Sequence, residues 1–165
     1  MSPDEIKSLL KLEPHPVEGG FFRRTYTSAL TMETERGTRA AGTAIYYLLE
    51  PGTFSEMHRL SSDEIFHFYL GEPVEMLQLH PDGGSAVFTL GQDLLNGQHM
   101  QLTVPAGVWQ GTRLLDDSKA GGKMALLGCT VTPGFEFADF ELGKRAELTE
   151  TFPQHAKLIK ELTRL

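Results

Sequence analysis

The chain has 165 residues, a net charge of −7 and 40% hydrophobic residues, which is the size and composition of one globular domain. A chain of this length buries enough surface to fold without a disulfide framework or a structural metal. The excess of acidic residues argues against binding to a nucleic-acid polymer, because phosphate recognition normally shows as an excess of Lys and Arg. Since no apolar stretch approaches the ~20 residues that cross a bilayer and no secretion signal is visible, we expect a cytoplasmic protein that does not enter the membrane.

Helical patterns mark both ends of the chain. Ser2 and Glu5 have capping-box spacing and Pro14 ends the apolar pattern, so we predict a helix over about 3–12. A second helix is predicted over about 154–165, where apolar residues recur at helical steps. Its apolar stripe consists of Ala156, Leu158, Ile159, Leu162 and Leu165.

Short runs rich in branched and aromatic residues fill the middle of the chain. They are separated by Gly, Pro, Asn and Asp turn signals, and their close spacing favours an all-β sandwich or small barrel over alternating βαβ units. We therefore predict a single domain over 1–165, with its barrel over about 20–142. The predicted strands are 43–49, 64–70, 74–79, 85–90, 101–104, 108–114 and 124–132.

The candidate chemistry lies in His58 and Glu64. In one continuous strand their side chains would be roughly 20 Å apart, but the intervening Ser61–Asp63 is a turn signal. A hairpin there would fold the two residues back toward each other, and period-two alternation would place both on faces that look into the barrel. A His and a Glu in an apolar cavity can bind a metal or exchange protons, because burial raises the pKa of a carboxyl group.

The spacing around these residues resembles a known signature. The pattern G-x5-H-x-L-x3-E-x6-G over 52–71 resembles the first cupin motif, and PAGVWQ over 105–110 resembles the second. In this comparison Leu60 and Gln110 stand where metal-binding cupins have their second and third His.

Longer blocks narrow the resemblance to one subfamily. The blocks HPVEGGFFRRTY, TAIYYLL, HRLSSDEIFHFY, VPAGVWQ and GCTVTPGFEFADFEL are similar to signature blocks of the cupin-5 subfamily, a domain family of uncharacterised function. The resemblance implies a mainly β, double-stranded β-helix (jelly-roll) barrel with short terminal helices, assembled as a homodimer. It implies no particular reaction, because the cupin fold carries many functions.

The resemblance also implies a metal site that lacks two of its usual ligands. Metal-dependent cupins use three His and one Glu, and this chain keeps only His58 and Glu64 of that set. Leu60 cannot bind a metal, and the amide oxygen of Gln110 is a poor ligand for a transition metal. We therefore expect that no cofactor is required and that His58, Glu64 and Gln110 hold a divalent metal at low occupancy at most. Alternatively, His58 and Glu64 form a hydrogen-bonded polar pair at the barrel mouth.

Aromatic residues are candidates for contact with a ligand. Tyr46, Tyr47, Phe66 and Phe68 would line the cavity if they face inward, and would otherwise belong to the core. Because neighbouring strand residues point to opposite faces, only one side chain of the Trp109–Gln110 pair can face the cavity. The spacing of the second motif assigns the inward-facing position to Gln110, which is therefore a further candidate for ligand binding.

Four other residues receive an interpretation from their neighbours. The doublet Arg23–Arg24 would send one guanidinium over the barrel mouth toward a carboxylate or phosphate, and Arg23 is taken as that candidate although the pattern does not distinguish the two. Cys129 lies in an apolar run, which indicates a small buried hydrophobe rather than a nucleophile. His15 lies between two prolines and is interpreted as a loop residue without a partner at metal-like spacing.

Three functions remain open from these residues. The first is a small-molecule-binding cupin whose ligand is a nucleotide, a nucleotide-sugar or a phosphorylated sugar, with His58 and Glu64 as the catalytic pair of an epimerase or isomerase. The second is a weakly metal-dependent isomerase or oxygenase. The third is a non-enzymatic structural or storage-like cupin with a filled core.

Overall fold

The computed structural model describes residues 1–116 and 123–164, so Leu165 of the predicted C-terminal stripe lies outside the described residues. The α-helices are α1 (Pro3–Leu10), α2 (Arg145–Thr151) and α3 (Ala156–Glu161). The strands are β1 (Glu13–Pro14), β2 (Phe21–Thr27), β3 (Thr31–Thr34), β4 (Gly37–Ala40), β5 (Thr43–Leu49), β6 (Phe54–Leu60), β7 (Asp63–Gly71), β8 (Val74–Leu79), β9 (Ser85–Leu90), β10 (Gln101–Val104), β11 (Trp109–Leu114), β12 (Ala125–Thr132) and β13 (Phe140–Leu142).

Two antiparallel sheets enclose the core. The larger has the order β1-β2-β5-β12-β7-β10 and the smaller has the order β13-β6-β11-β8-β9, while β3 and β4 form a separate hairpin. This confirms the predicted mainly β, jelly-roll barrel. The predicted strands 43–49, 74–79, 85–90 and 101–104 have the bounds of β5, β8, β9 and β10.

The core lies between the sheets because their strands alternate inward apolar and outward polar residues. On β7, for example, Phe66 and Phe68 are buried, whereas Tyr69 is exposed. The same alternation operates on β8, where Met76 joins the barrel core and Leu77 faces the opposite side. The barrel core consists of Tyr47, Leu49, Phe66, Phe68, Val74, Met76, Leu90, Val104, Val108, Leu114, Ala125, Leu127 and Cys129.

The helices cover the outer faces of the sheets. In α1 the Ser2 hydroxyl accepts from the Glu5 amide at 3.2 Å and the Glu5 carboxylate accepts from the Ser2 amide at 2.7 Å, which confirms the predicted capping box. The helix ends at Leu10, earlier than predicted, because Lys11 adopts a left-handed conformation with φ 53°. Helices α2 and α3 pack against the smaller sheet, and within residues 1–116 and 123–164 no helix is long and apolar enough to span a membrane.

Two sequence predictions need correction. His58 and Glu64 do not lie in one hairpin: β6 belongs to the smaller sheet and β7 to the larger, so Ser61 and Ser62 form a corner between sheets and the two residues face each other across the barrel. The helix predicted over 154–165 is shorter, because the segment starts with a 3₁₀ turn and α3 ends at Glu161. The preceding α2 was not predicted, since its seven residues carry a single buried apolar side chain.

The packing of α3 predicts that the C-terminal segment stabilises the barrel. Ile159 is fully buried against the smaller sheet, in a cluster with Met57 and Leu77. We expect Ile159→Ala to lower the free energy of unfolding by about 2–5 kcal/mol, through lost transfer energy and a cavity. Urea unfolding measures this, with Lys157→Ala on the exposed side of α3 as the matched control. Equal stability of the two variants would contradict the prediction.

Candidate functional site

One pocket opens between the sheets beside His58 and Glu64. Its walls come from β2, β5, β7 and β12 of the larger sheet, from β6 of the smaller sheet, and from the segments before β2 and after β12. It holds about 480 Å³ of space, counting its open mouth. Its polar and titratable side chains are His15, Glu18, Arg24, Thr43, His58, Glu64 and Cys129, and its apolar side chains are Phe22, Ile45, Leu60, Val131, Phe135 and Phe137.

Glu64 is a buried carboxyl group with a strongly altered pKa. Its side chain accepts a 2.6 Å hydrogen bond from the amide nitrogen of Gln110, which comes from the opposite sheet. Burial raises the pKa of Glu64 to about 7, while the charge of His58 and the Gln110 hydrogen bond act in the opposite direction. At neutral pH the protonated and the ionised forms of Glu64 are therefore both populated, so the group can donate or accept a proton, as an acid–base catalyst must.

His58 is held rigidly at the same pocket. Its Nδ1 lies 2.7 Å from the carbonyl oxygen of Glu56, and its ring stacks on Phe140 with centroids 4.9 Å apart. Because a carbonyl oxygen only accepts, Nδ1 carries a proton in this contact, and in the neutral ring Nε2 bears a lone pair. Gln110 is the register partner of His58 on β11, so the residue whose side chain binds Glu64 lies directly beside His58 in the smaller sheet.

His15 lies in the loop between β1 and β2, as its flanking prolines indicated, but together with Glu18 it belongs to this pocket, which the sequence did not indicate. The His15 side chain is only 5% exposed, and its Nε2 lies 3.8 Å from a Glu18 carboxylate oxygen. The other Glu18 oxygen accepts from the Ser55 hydroxyl on β6. Sequence spacing gave no signal for this, because the turn between β1 and β2 folds onto the barrel through tertiary contacts. The only local hint is HPVEGG itself, a turn that brings His15 and Glu18 together.

Arg24, rather than Arg23, lines the pocket. The Arg24 guanidinium donates to the Phe135 carbonyl oxygen at 3.2 Å and remains exposed at the mouth. The Arg23 guanidinium lies over the ring of Tyr46, 5.8 Å from its centroid, on the outer side of the larger sheet. The choice of Arg23 as the ligand-binding arginine is therefore corrected: alternation separates the doublet, but the register of β2 decides which member faces inward.

The aromatic candidates do not form the pocket wall that their residue type suggested. Tyr47, Phe66 and Phe68 are buried in the barrel core, and the Tyr47 hydroxyl donates to the Gly19 carbonyl oxygen at 2.8 Å. Tyr46 faces outward and meets Tyr69 edge to face at 6.1 Å. The aromatic rings at the pocket belong instead to Phe22, Phe135 and Phe137.

Cys129 is buried, as its apolar neighbours indicated, but it also touches the site. Its thiol lies against the Glu64 carboxyl group. Burial, followed by the negative charge of Glu64, raises the pKa of Cys129 well above its ordinary value. The sulfur is therefore a neutral thiol, which is not the nucleophilic form.

The pocket rim is a loop fixed at both ends. At one end the Phe135 amide donates to the Thr43 hydroxyl at 3.0 Å. At the other end Asp139 accepts two hydrogen bonds from Arg39, at 2.8 and 3.0 Å, with Arg36 also nearby at 3.6 Å. The segment between these points carries Phe135 and Phe137 over the pocket.

The residues at the cupin metal position do not fit a metal centre. Leu60 lines the pocket without a donor atom. The Gln110 amide nitrogen donates to Glu64, which leaves only its neutral amide oxygen, a poor ligand for a transition metal. In the described ranges, no three His, Cys, Asp or Glu side chains converge in a geometry that holds a metal. We therefore derive no chemistry from a metal at His58, Glu64 and Gln110.

The raised pKa of Glu64 predicts a pH dependence of stability. The folded protein keeps this proton up to about pH 7, whereas an ordinary carboxyl group releases it near 4.5, so the free energy of unfolding falls as pH rises between these values. The shift corresponds to about 3 kcal/mol. Glu64→Gln removes the group that titrates. The free energy of unfolding of this variant, relative to that of the unmodified protein, should therefore rise by up to about 3 kcal/mol as the pH increases from 4.5 to about 7. Urea unfolding from pH 4.5 to 8 measures the difference.

The matched control for this measurement is Glu150→Gln, an exposed position on α2. Its stability relative to the unmodified protein should change little between these pH values. Parallel pH profiles for Glu64→Gln and the unmodified protein would contradict the assignment of a perturbed carboxyl group to Glu64.

Comparison with known proteins gives the family. Residues 4–143 match the family Cupin_5, described as Cupin superfamily (DUF985). The structure of protein SO0799 from Shewanella oneidensis is similar, with 35% identity and a TM-score of 0.88 over 99% of this chain and 98% of that one. A hypothetical protein from Leishmania major has 31% identity and a TM-score of 0.89, with both chains fully covered.

A third relative is the uncharacterised yeast protein YML079W from Saccharomyces cerevisiae. It is 33% identical over 133 residues, which are 74% of this chain and 66% of the yeast protein, so the match spans slightly less than two thirds of that relative. The family match covers most of the chain and agrees with the barrel and with the motif residues at the pocket. The chain therefore belongs to the Cupin_5 (DUF985) family of the cupin superfamily.

Proposed function

We propose that this cupin binds a small polar molecule in the barrel pocket and that Glu64 and His58 exchange a proton with it. The observation that carries the proposal is Glu64 itself, a buried carboxyl group at the pocket wall whose pKa of about 7 suits proton transfer at neutral pH. A carboxyl group with only a structural role gains nothing from such a position, because its burial costs stability whenever it ionises.

The chemistry that fits this pair is an isomerisation or epimerisation. An ionised carboxylate removes a proton from a carbon beside a carbonyl group, and a protonated neighbour returns a proton to another atom or face. The two steps balance without an oxidant, a reductant or a metal. Glu64 and His58 supply the two proton-exchanging groups, and Gln110 holds the carboxylate in place.

The distribution of charge in the pocket favours one orientation of the ligand. Glu18 and Glu64 lie on the pocket wall, so an anionic group is repelled there, whereas Arg24 lies exposed at the mouth. A nucleotide, nucleotide-sugar or phosphorylated sugar would therefore place its phosphate at Arg24 and its neutral part inside. The enclosed part of the pocket is only about 50 Å³. This is well below the ~300–1,000 Å³ typical of ligand sites, which favours the smaller of these ligands, held largely in the open mouth.

A ligand screen on chelated protein tests the proposal. Nucleoside monophosphates, nucleotide-sugars and sugar phosphates are compared by thermal shift, and a bound ligand raises the midpoint of unfolding. Ligands that bind are then incubated in D₂O, and deuterium uptake at carbon is followed by NMR. We expect uptake that is lost in Glu64→Gln and in His58→Asn, whose amide can still donate to Glu56.

The controls separate binding from catalysis. Arg24→Gln should weaken a phosphate-bearing ligand about tenfold or more, the value of a charge-assisted hydrogen bond, while Arg23→Gln on the outer face should not. A ligand that binds to Glu64→Gln, His58→Asn and Arg24→Gln as well as to the unmodified protein would bind outside this pocket, which would contradict the proposal. Binding without deuterium uptake by any ligand would favour the non-enzymatic alternative, and a shift with divalent metals alone would favour the metal-dependent one.

The homodimer implied by family resemblance stays a prediction, and the outer face of the larger sheet supports it. There the register aligns Arg23, Tyr46, Gly128 and His67 across four neighbouring strands, and Tyr69 lies over Gly128 at 44% exposure. We propose that a second copy covers this face. Light scattering should give twice the 18.3 kDa chain mass, and Tyr69→Glu should reduce it to the monomer value. A monomer in the unmodified protein would contradict the prediction.

A further inference from the structure

His15 is a pocket residue to which the proposed chemistry gives no role. Its side chain is 5% exposed, and its ring packs against Phe22 with centroids 4.7 Å apart. It shares the pocket wall with His58 and Glu64. The hydrogen bonds of the His15 and His58 rings place the proton on different ring nitrogens, so the two rings offer different groups to a ligand.

The His15 ring is fixed with its proton on Nε2. Its Nδ1 accepts from the backbone amides of Glu18 at 2.9 Å and Val17 at 3.3 Å. Because an amide N–H only donates, Nδ1 must bear a lone pair, and the proton of the neutral ring lies on Nε2. Burial lowers the pKa of His15, and the charge of His58 adds to this effect, so the ring stays neutral near pH 7 although Glu18 opposes the shift.

The His58 ring is fixed in the opposite sense, with its Nδ1 proton directed at the Glu56 carbonyl oxygen. Within the described part of the chain, neither Nε2 has a hydrogen-bond partner, since the 3.8 Å from His15 Nε2 to Glu18 is too long for one. One pocket therefore presents an N–H donor from His15 and, from neutral His58, a lone-pair acceptor. A ligand that satisfies both has an acceptor oxygen close to an N–H or O–H group.

We propose that His15 Nε2–H donates a hydrogen bond to a carbonyl oxygen of the ligand, and that the ligand is a small α-hydroxycarbonyl phosphate. The inference rests on the proposed function and extends it. When Glu64 removes a proton from the carbon beside the carbonyl, the electron pair of that C–H bond moves toward the carbonyl oxygen. A preorganised neutral N–H stabilises the negative charge that develops there. The hydroxyl proton passes by way of His58 Nε2 to this oxygen, and protonated Glu64 returns its proton to the former carbonyl carbon, so that the hydroxyl and the carbonyl exchange places and every proton is accounted for.

The remaining pocket wall supports this ligand class. The hydroxyl beside the carbonyl donates to the free lone pair of His58, and the phosphate reaches Arg24 at the mouth. A complete sugar ring carries hydroxyl groups on all sides, and several of these would lie unpaired against Phe22, Ile45 and Val131. A chain of three or four carbons places its few polar groups where the pocket has polar atoms.

The tautomers can be measured in the free protein, without any ligand. In uniformly ¹⁵N-labelled protein at pH 7.5, two-bond ¹H–¹⁵N spectra should show His15 as the Nε2–H tautomer and His58 as the Nδ1–H tautomer. The signals are assigned with His15→Asn and His58→Asn. The opposite tautomer at His15, or a charged ring there, would overturn the inference even if the proposed function is right.

The ligand test uses dihydroxyacetone phosphate labelled with ¹³C at its carbonyl carbon. Its infrared carbonyl band should move to lower frequency on binding, because the His15 N–H polarises the bond. In His15→Asn the amide oxygen can still accept from the Val17 and Glu18 amides, so the turn is kept while the donor is lost. We expect the band to return toward its value in water in this variant, and deuterium uptake to fall about tenfold or more.

The outcomes separate the two proposals. A shifted band that depends on His15, without deuterium uptake, supports the inference and contradicts the proposed proton exchange. Proton exchange on another ligand, with no binding of dihydroxyacetone phosphate or with an unshifted band, contradicts the inference alone. His80→Asn, in the turn after β8, is the control for loss of a histidine outside the pocket and should change neither readout.

Discussion

The hydrogen bond from Gln110 to Glu64 is the interaction on which the site depends. It joins the two sheets across the barrel, because Gln110 belongs to β11 of the smaller sheet and Glu64 to β7 of the larger. Burial by itself raises the pKa of a carboxyl group, because it penalises the ionised form. With the donor and with His58 nearby, the pKa of Glu64 is about 7. The charge of His58, with the Gln110 amide adding to it, therefore offsets part of the cost of burial and leaves a group that can ionise near neutral pH.

The same residue explains how this cupin differs from metal-dependent relatives of the fold. A histidine at the position of Gln110 and another at Leu60 would complete a four-ligand set with His58 and Glu64. Here the amide gives its N–H to the carboxylate, and the leucine gives the pocket an apolar surface. Both replacements leave Glu64 and His58 short of a four-ligand set, so the chemistry that we propose rests on their protons rather than on a bound cation.

The part of the site that lies within strands followed from the sequence. Period-two alternation and motif spacing place His58 and Glu64 at one cavity and Gln110 next to Glu64, because each is fixed by the register of its own strand. The predicted connection between these strands was wrong. Ser61 and Ser62 are residue types that are typical of a hairpin turn, but the local sequence does not encode which sheet the next strand joins. Alternation also predicted that Phe66 faces inward, but it could not predict how deep beneath the pocket this side chain lies.

The part of the site that comes from loops did not follow from the sequence. His15 and Glu18 reach the pocket through the turn before β2, and Phe135 and Phe137 reach it from the segment after β12. Their positions depend on contacts between residues far apart in the chain, such as the Thr43 hydroxyl that accepts from the Phe135 amide. The choice between Arg23 and Arg24 is of the same kind, since it needs the pairing of β2 with β5.

The attachment of the rim loop at Thr43 and Asp139 has a consequence for how such barrels diverge. One anchor is the backbone amide of Phe135 and the other is the side chain of Asp139, so neither uses the side chain of Phe135 or Phe137. The strands beneath the stretch carry the proton-exchanging residues. Side chains in the stretch can therefore be exchanged by mutation without disturbing either anchor or any ladder of the barrel. Barrels that descend from one ancestor can thus acquire pocket mouths of different shape while the proton-exchanging residues stay unchanged, so that ligand selectivity evolves separately from reactivity.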